Sequence, residues 1–174
     1  MHIGDIRNVT LLSSVFTPDV VGVVHLASIS RVVQCAENPR DCTDVDERGT
    51  RLVLDSLEQL NSQDQGKRWF ILASSVEVYS ETTAAITLHE DAQTKPSSVY
   101  GKSKLAAERA VETRSSDTLP AVSLRLSHVY GGSYDHNDRL IPSIATQALW
   151  NQVIQVSGTQ QTVCLSRVLT TRGY

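Results

Sequence analysis

Val20-Val21-Gly22-Val23-Val24-His25-Leu26 is a short, nearly continuous run of apolar and β-branched residues, the pattern of a strand buried on both faces of a parallel sheet. Two later runs share its character, Trp69-Phe70-Ile71-Leu72-Ala73 and Ala121-Val122-Ser123-Leu124-Arg125-Leu126. Helical periodicity fills the space between them. Thr50 to Leu60 places Leu52, Val53, Leu54, Leu57 and Leu60 at helical spacing, and Lys102 to Glu112 does the same with Leu105, Ala106, Ala110 and Val111. Strand and helix alternating at this length predict an α/β fold with a parallel sheet and right-handed crossovers. Pro120, Gly131-Gly132 and the polar run Asn61 to Lys67 mark the loops. Asp138 to Gln152 reads as a further helix with Leu140, Ile141, Ile144, Ala145, Ala148 and Leu149 on its apolar positions, and Val153-Ile154-Gln155-Val156 reads as a strand. Thr159 to Tyr174 has no period, and poor packing is expected there.

The 174 residues suffice for one domain with a proper core. With 40% hydrophobic and 20% charged residues the composition is that of a soluble globular protein. A net charge of -3 gives no electrostatic case for nucleic acid or an anionic membrane. No apolar run approaches the roughly 20 residues of a bilayer span. Met1-His2-Ile3-Gly4-Asp5 is not a secretory signal, so a cytoplasmic location is expected. Cys35, Cys42 and Cys164 form an odd set without a CxxC pair, which implies neither a disulfide framework nor a zinc site. Cys35 and Cys42, seven apart, suit one helix face and packing. The scattered histidines His2, His25, His89, His128 and His136 lack HExxH-type spacing, so no metal is assigned.

Tyr100 and Lys104 stand four residues apart in Ser97-Ser98-Val99-Tyr100-Gly101-Lys102-Ser103-Lys104 and so share one helix face. A phenol of pKa about 10 is a poor base at neutral pH, but an ammonium one turn away favours the phenolate. Ser74 or Ser75, at the end of the second apolar run, offers the hydroxyl that completes a Ser/Tyr/Lys proton-handling group. The same spacing is common on amphipathic helices that have no catalytic role.

The ordered set Gly4-Asp5-Ile6-Arg7-Asn8, His25-Leu26-Ala27, Gly49-Thr50, Ser74-Ser75-x-x-Val78-Tyr79, Tyr100-Gly101-Lys102-Ser103-Lys104 and Leu124-Arg125-x-x-x-Val129-Tyr130-Gly131 resembles the extended short-chain dehydrogenase/reductase family. Within it, the chain is most similar to the NAD-dependent epimerase/dehydratase group typified by UDP-galactose 4-epimerase. The likeness runs from residue 4 to about 158. It implies a Rossmann-like sheet, incomplete here, over residues 1–152, with a remnant of a substrate domain and a divergent tail in 153–174.

The resemblance further implies NAD as cofactor, a nucleotide sugar as substrate and a possible homodimer. Ser75, Tyr100 and Lys104 would be the catalytic group. Asp5, Ile6, Leu26, Ala27, Ser28 and Ser127 would join Tyr100 and Lys104 in binding the cofactor, and His128 would join Ser75 and Tyr100 at the substrate. The tyrosine would take a proton from a sugar hydroxyl as the carbon beneath it gives hydride to the nicotinamide.

Departures accompany the matches. The family's glycine-rich GxxGxxG turn, which sets the pyrophosphate on a helix N-terminus, is absent from this sequence. The implied shortfall at the front is roughly fifty residues, more than one βαβ unit of about 30. Truncation at both ends is therefore the expectation, with weak or absent NAD binding and impaired activity. Asp46 stands where the family has an asparagine; its carboxylate would repel a phosphate or accept a ribose hydroxyl. His128 replaces another asparagine, and Val76 takes the place of the acid of the 4,6-dehydratases. Glu77 matches a glutamate of dehydratases and decarboxylases, and equally suits a solvent-facing strand end. A decarboxylase, reductase or sterol-type dehydrogenase of the same family is the enzyme alternative. A non-catalytic binding or regulatory chain is the other.

Overall fold

The computed structural model describes residues 1–79, 87–130 and 139–154 and the backbone of Leu165–Arg167. They fall into two compact units, Met1–Glu81 with Leu88–Arg125 and Thr82–Thr87 with Leu126–Tyr174. In chain order the elements are α1 (Val9–Val15), β1 (Gly22–His25), α2 (Val32–Glu37), α3 (Pro39–Thr43), a π-helical turn (Asp44–Gly49), α4 (Thr50–Asp64) and β2 (Trp69–Ser75). A 3-10 turn (Val76–Val78), α5 (Val99–Arg114), β3 (Ala121–Leu126), β4 (His128–Tyr130), α6 (Leu140–Leu149) and β5 (Leu165–Arg167) follow.

The three apolar runs form one sheet in the order β1-β2-β3. β1 and β2 are parallel, with Val23 opposite Phe70 and His25 opposite Leu72. At the other side of β2, the amides of Arg68 and Phe70 donate to the carbonyls of Thr118 and Pro120 at 3.2 and 3.0 Å, so the two segments advance together. Among the described residues β1 is paired on one side only.

One face of this sheet holds the core. Phe70 and Leu72 of β2 pack with Leu12 of α1, Val53, Leu54 and Leu57 of α4, Ala107, Ala110 and Val111 of α5, and Leu119. Full withdrawal of side chains such as Leu54, Leu57 and Phe70 contributes roughly 1.5–3 kcal/mol each. The expectation of strands buried on both faces is corrected here. Val24, Trp69, Val122 and Leu124 are exposed, so burial alternates along β2 although its residues are uniformly apolar from Trp69 to Ala73, and along β3 it is the apolar Val122, Leu124 and Leu126 that face outward. The described helices α1, α4 and α5 cover the Phe70 side alone, which accounts for the difference.

Local chemistry fixes the helix ends. The Asn8 side chain accepts from the Leu11 amide at 3.1 Å at the start of α1, and the Ser98 hydroxyl accepts from the Gly101 amide at 2.9 Å at the start of α5. Helix α4 runs past the predicted end to Asp64, because Asn61 donates to the Thr118 carbonyl at 2.8 Å and Asp64 meets Arg68 at 2.5 Å. It stops where Gln65 turns left-handed, with φ of 55°, just before Gly66. Buried Arg68 also donates to the carbonyls of Val20 and Pro18 at 2.7 and 3.1 Å, tying the entry of β1 to that of β2.

In the second unit β4 and β5 pair in parallel, with His128 opposite Leu165. This short strand lies in the tail read as lacking elements; the rest of 159–174 lies outside the described residues. Helix α6 falls within the predicted 138–152. Val153 and Ile154 are not in a strand, contrary to the reading of 153–156, whose last two residues lie outside the described ones, as do Gly131 and Gly132.

Candidate active site

The sheet brings four predicted residues of the first unit, Leu26, Ala27, Ser28 and Ser75, to the carboxyl ends of its strands, where ligands bind in folds of this class. Leu26, Ala27 and Ser28 follow β1 directly, and Ser75 ends β2. Leu26 and Ala27 are exposed, whereas Ser75 is buried and its hydroxyl accepts from the Glu77 amide at 3.2 Å. Ser127 follows β3, and His128 is an exposed residue of β4; both belong to the second unit.

Tyr100 and Lys104 stand one turn apart in α5, the tyrosine half-buried and the lysine 4% exposed. The Lys104 ammonium lies 5.8 Å from the centre of the Tyr100 ring and donates to the Ala73 carbonyl at 3.0 Å, one residue before the Ser74-Ser75 pair. Gly101 makes the approach to β2 possible. A Cβ there would stand 2.3 Å from the Glu77 carbonyl oxygen and 2.8 Å from the Pro96 Cβ, so a larger residue would push the first turn of α5 off the turn that follows Ser75. Glu77 accepts from the Ser98 hydroxyl at 3.3 Å at the start of α5.

Beneath this surface runs a buried polar network that sequence reasoning did not foresee. The π-helical turn carries Asp46 into the interior, where it is 1% exposed. Its Oδ2 accepts from Ser103 at 2.6 Å, and its main-chain carbonyl accepts from the Thr50 hydroxyl at 2.5 Å. With its proton committed, the Thr50 oxygen can only accept from His25, whose Nε2 lies 3.1 Å away; His25 is thus the neutral Nε2-H tautomer. Burial lowers the Lys104 pKa, and the charge of Asp46 opposes that shift.

Burial, and secondarily Lys104, holds His25 at a pKa of about 4, below the ordinary 6.5. The unfolded chain takes up this proton first, so stability is expected to be full above about pH 6.5 and to fall as pH drops toward about 4. Urea unfolding between pH 7.5 and 4.5 checks this, and His25→Gln should flatten the slope. An equal slope in that variant would assign the loss to other groups.

A second network lies behind Ser75. Glu108, one further turn along the Tyr100-Lys104 face, accepts from Ser74 at 2.5 Å and from Arg125 through both oxygens at 2.8–3.2 Å. Arg125 also donates to the Tyr79 hydroxyl at 3.0 Å and the Glu90 carbonyl at 2.7 Å. The i, i+4, i+8 spacing of Tyr100, Lys104 and Glu108 was the available signal.

Of the residues expected at the cofactor, Ser28 has its Oγ buried without a partner among the described residues. Oδ1 of Asp46, whose role the sequence left open, is buried in the same way, and a hydroxyl-rich ligand such as a dinucleotide's ribose would satisfy such atoms. Asp5 is already engaged. Arg7 donates to its carboxylate at 2.6–3.1 Å and holds its pKa at about 2. The same guanidinium reaches Asp41 at 2.6 Å and Asp44 at 3.0 Å, so Arg7, braced by Asp5, anchors the N-terminal loop to α3 and the π-helical turn. Ile6 packs over Gly49, where a Cβ would stand 2.4 Å from the Ile6 Cδ1.

Cys35 and Cys42 depart most from expectation. They form a disulfide, because the chain breaks at Asn38 and Pro39 into two helices instead of continuing as one. With Asp46 they also make a buried trio of potential ligand atoms within 4.8 Å of one another, although the bonded sulfurs leave that set closed to a metal.

The parallel sheet, the strand-end serines and the Tyr-x-x-x-Lys helix define a Rossmann-like domain of the dehydrogenase type. Residues 1–163 match the model of the NAD dependent epimerase/dehydratase family, and the chain belongs to that family. It is 30% identical over 134 residues to a UDP-glucose 4-epimerase of Lacticaseibacillus casei, covering 76% of this chain and 39% of that protein. To a trifunctional UDP-glucose 4,6-dehydratase, 3,5-epimerase and reductase of Arabidopsis thaliana it is 29% identical, over 89% of this chain and 23% of the relative. A crystal structure of UDP-glucuronic acid 4-epimerase from Bacillus cereus, in complex with UDP-glucuronic acid and NAD, superposes with a TM-score of 0.76 at 28% identity, over 94% of this chain and 50% of that one. The chain thus spans half or less of the length of these relatives.

Proposed function

We propose that residues 1–152 are the part of an NAD-binding domain that carries the proton-handling group, and residues 153–174 the beginning of a substrate part, of a protein acting on the 4-position of a nucleotide sugar. The observation that carries this is the buried Lys104 ammonium beside the Tyr100 ring, on a helix whose first turn packs against the turn after Ser75. NAD supplies the hydride acceptor when bound. Tyr100 is the base for the sugar hydroxyl, Ser75 hydrogen-bonds the same oxygen, and Lys104 holds the phenolate and the cofactor ribose. Leu26, Ala27 and Ser28 line the dinucleotide path, with Asp5 and Ile6 contributing from the N-terminal segment. A cytoplasmic location and a homodimer complete the reading. Among the described residues no helix is long and apolar enough to cross a membrane.

This sequence contains no glycine-rich phosphate turn. The 174-residue chain by itself is therefore expected to bind NAD weakly or not at all; micromolar affinity by calorimetry would show that another segment cradles the phosphates. Joined in frame to a segment bearing such a turn, it is expected to interconvert 4-epimeric nucleotide sugars, with Tyr100→Phe lowering turnover roughly a hundredfold. Unchanged turnover in that variant would exclude Tyr100 as the base.

A further inference from the structure

We propose that Cys35 and Cys42 are a redox-sensitive lock on the helix that bears Tyr100 and Lys104. Both sulfurs are wholly buried, and the bond joins α2 to α3, each of which packs against α5. The Cys42 sulfur lies 3.5 Å from the Ser103 hydroxyl. Ser103 is the residue before Lys104, donates to Asp46 at 2.6 Å and lies 2.9 Å from the Tyr100 carbonyl. A change at Cys42 therefore reaches the Ser103–Asp46 pair directly.

Both oxidation states are accommodated by the same surroundings. As thiols, Cys35 would face the Ile29 carbonyl at 3.4 Å and Cys42 the Asp46 Oδ2 at 3.9 Å, so each new S–H has an acceptor in place. The Cys42 proton would compete with Ser103 for that carboxylate oxygen. Reduction also removes the side-chain cross-link between helices of six and five residues, which are otherwise joined through the Asn38 main chain and neither of which has a side-chain N-cap. Helices this short depend on tertiary support, so their opening is the event the bond restrains.

The chemistry is thiol–disulfide exchange with a dithiol reductant. Its thiolate attacks one sulfur, forming a mixed disulfide and expelling the other as a thiolate that takes a proton. The second thiol of the reductant then displaces the remaining cysteine. The pair gains two electrons and two protons, and the reductant leaves as its disulfide. Buried sulfurs make this exchange wait on local opening of α2 and α3. In a compartment where thiols are kept reduced, a bond of this kind forms on oxidative challenge and not constitutively.

The lock's existence does not rest on the proposed activity; only its effect on turnover does, and the test reads the helix itself. In the Cys164→Ser chain treated with oxidised glutathione and then unfolded in urea, Cys35 and Cys42 should resist alkylation, and after dithiothreitol both should be alkylated, as read by mass. Amide hydrogen exchange over residues 32–43 and 100–104 should quicken at least tenfold on reduction. The Cys35→Ser/Cys42→Ser chain should exchange like the reduced form and ignore oxidant; the redox comparison of the parent chain decides alone if that variant fails to fold. Two alkylatable thiols after oxidation would overturn the proposal, as would a bond whose reduction leaves residues 100–104 unchanged. Stoichiometric zinc in the reduced chain would reassign the pair, with Asp46, to a metal site and overturn it equally.

Discussion

Glu108→Ala is expected to destabilise the chain by about 3–5 kcal/mol, the range for removing one partner of a buried ion pair. Glu108, on α5, is 7% exposed and is the shared acceptor of two groups on two strands: Ser74 at the end of β2 and Arg125 on β3. Its loss leaves the Arg125 guanidinium, among the described residues, with the Tyr79 hydroxyl and the Glu90 carbonyl, and strands the Ser74 hydroxyl in the interior. The Arg125 pKa is raised chiefly by Glu108, so the arginine stays charged and the unmet charge is the cost. Glu108→Gln keeps an acceptor for one donor and should lose less. Urea unfolding measures both. A loss below about 1 kcal/mol in the alanine variant would mean that water reaches Arg125 freely and that the pair behaves as a surface one.

That network shows where the sequence could be read and where it could not. The three strands were legible because Val23, Phe70 and Leu72 lie in runs too apolar and too β-branched for anything but a sheet. Which face would be buried was not legible, since Trp69 and Phe70 are equally apolar and only the placement of α1, α4 and α5 separates them. Tyr100 and Lys104 were legible from spacing alone. Asp46 was legible as a departure but not as a buried carboxylate, because a π-helical turn leaves no periodic mark. The end of α4 was misplaced for a related reason: Asn61 and Asp64 look like loop residues until Thr118 and Arg68 are beside them. The Cys35–Cys42 bond was missed because a spacing of seven suits one helix face. Asn38-Pro39, a proline at the first position of a new helix, was the overlooked signal.

Phe70→Ala is expected to cost about 3–5 kcal/mol, a large share of the roughly 5–15 kcal/mol that holds a domain folded. Phe70 is completely buried where α1, α4 and α5 converge on β2, and its ring centre lies 5.6 Å from that of His25. No other described face of the sheet shares the burden, since Val24, Trp69, Val122 and Leu124 are open to solvent. Removing the ring therefore leaves a cavity in the single core of the first unit and loosens the wall that keeps His25 dry. Two readouts follow from that one cause. The urea midpoint should fall with an unchanged slope, and the acid dependence traced to His25 should weaken as its pKa returns toward 6.5. Phe70→Leu, which keeps most of the volume, should cost less than half as much and leave the acid dependence in place. Equal losses from Trp69→Ala would contradict the one-sided core, because Trp69 lies on the exposed face and is 40% exposed.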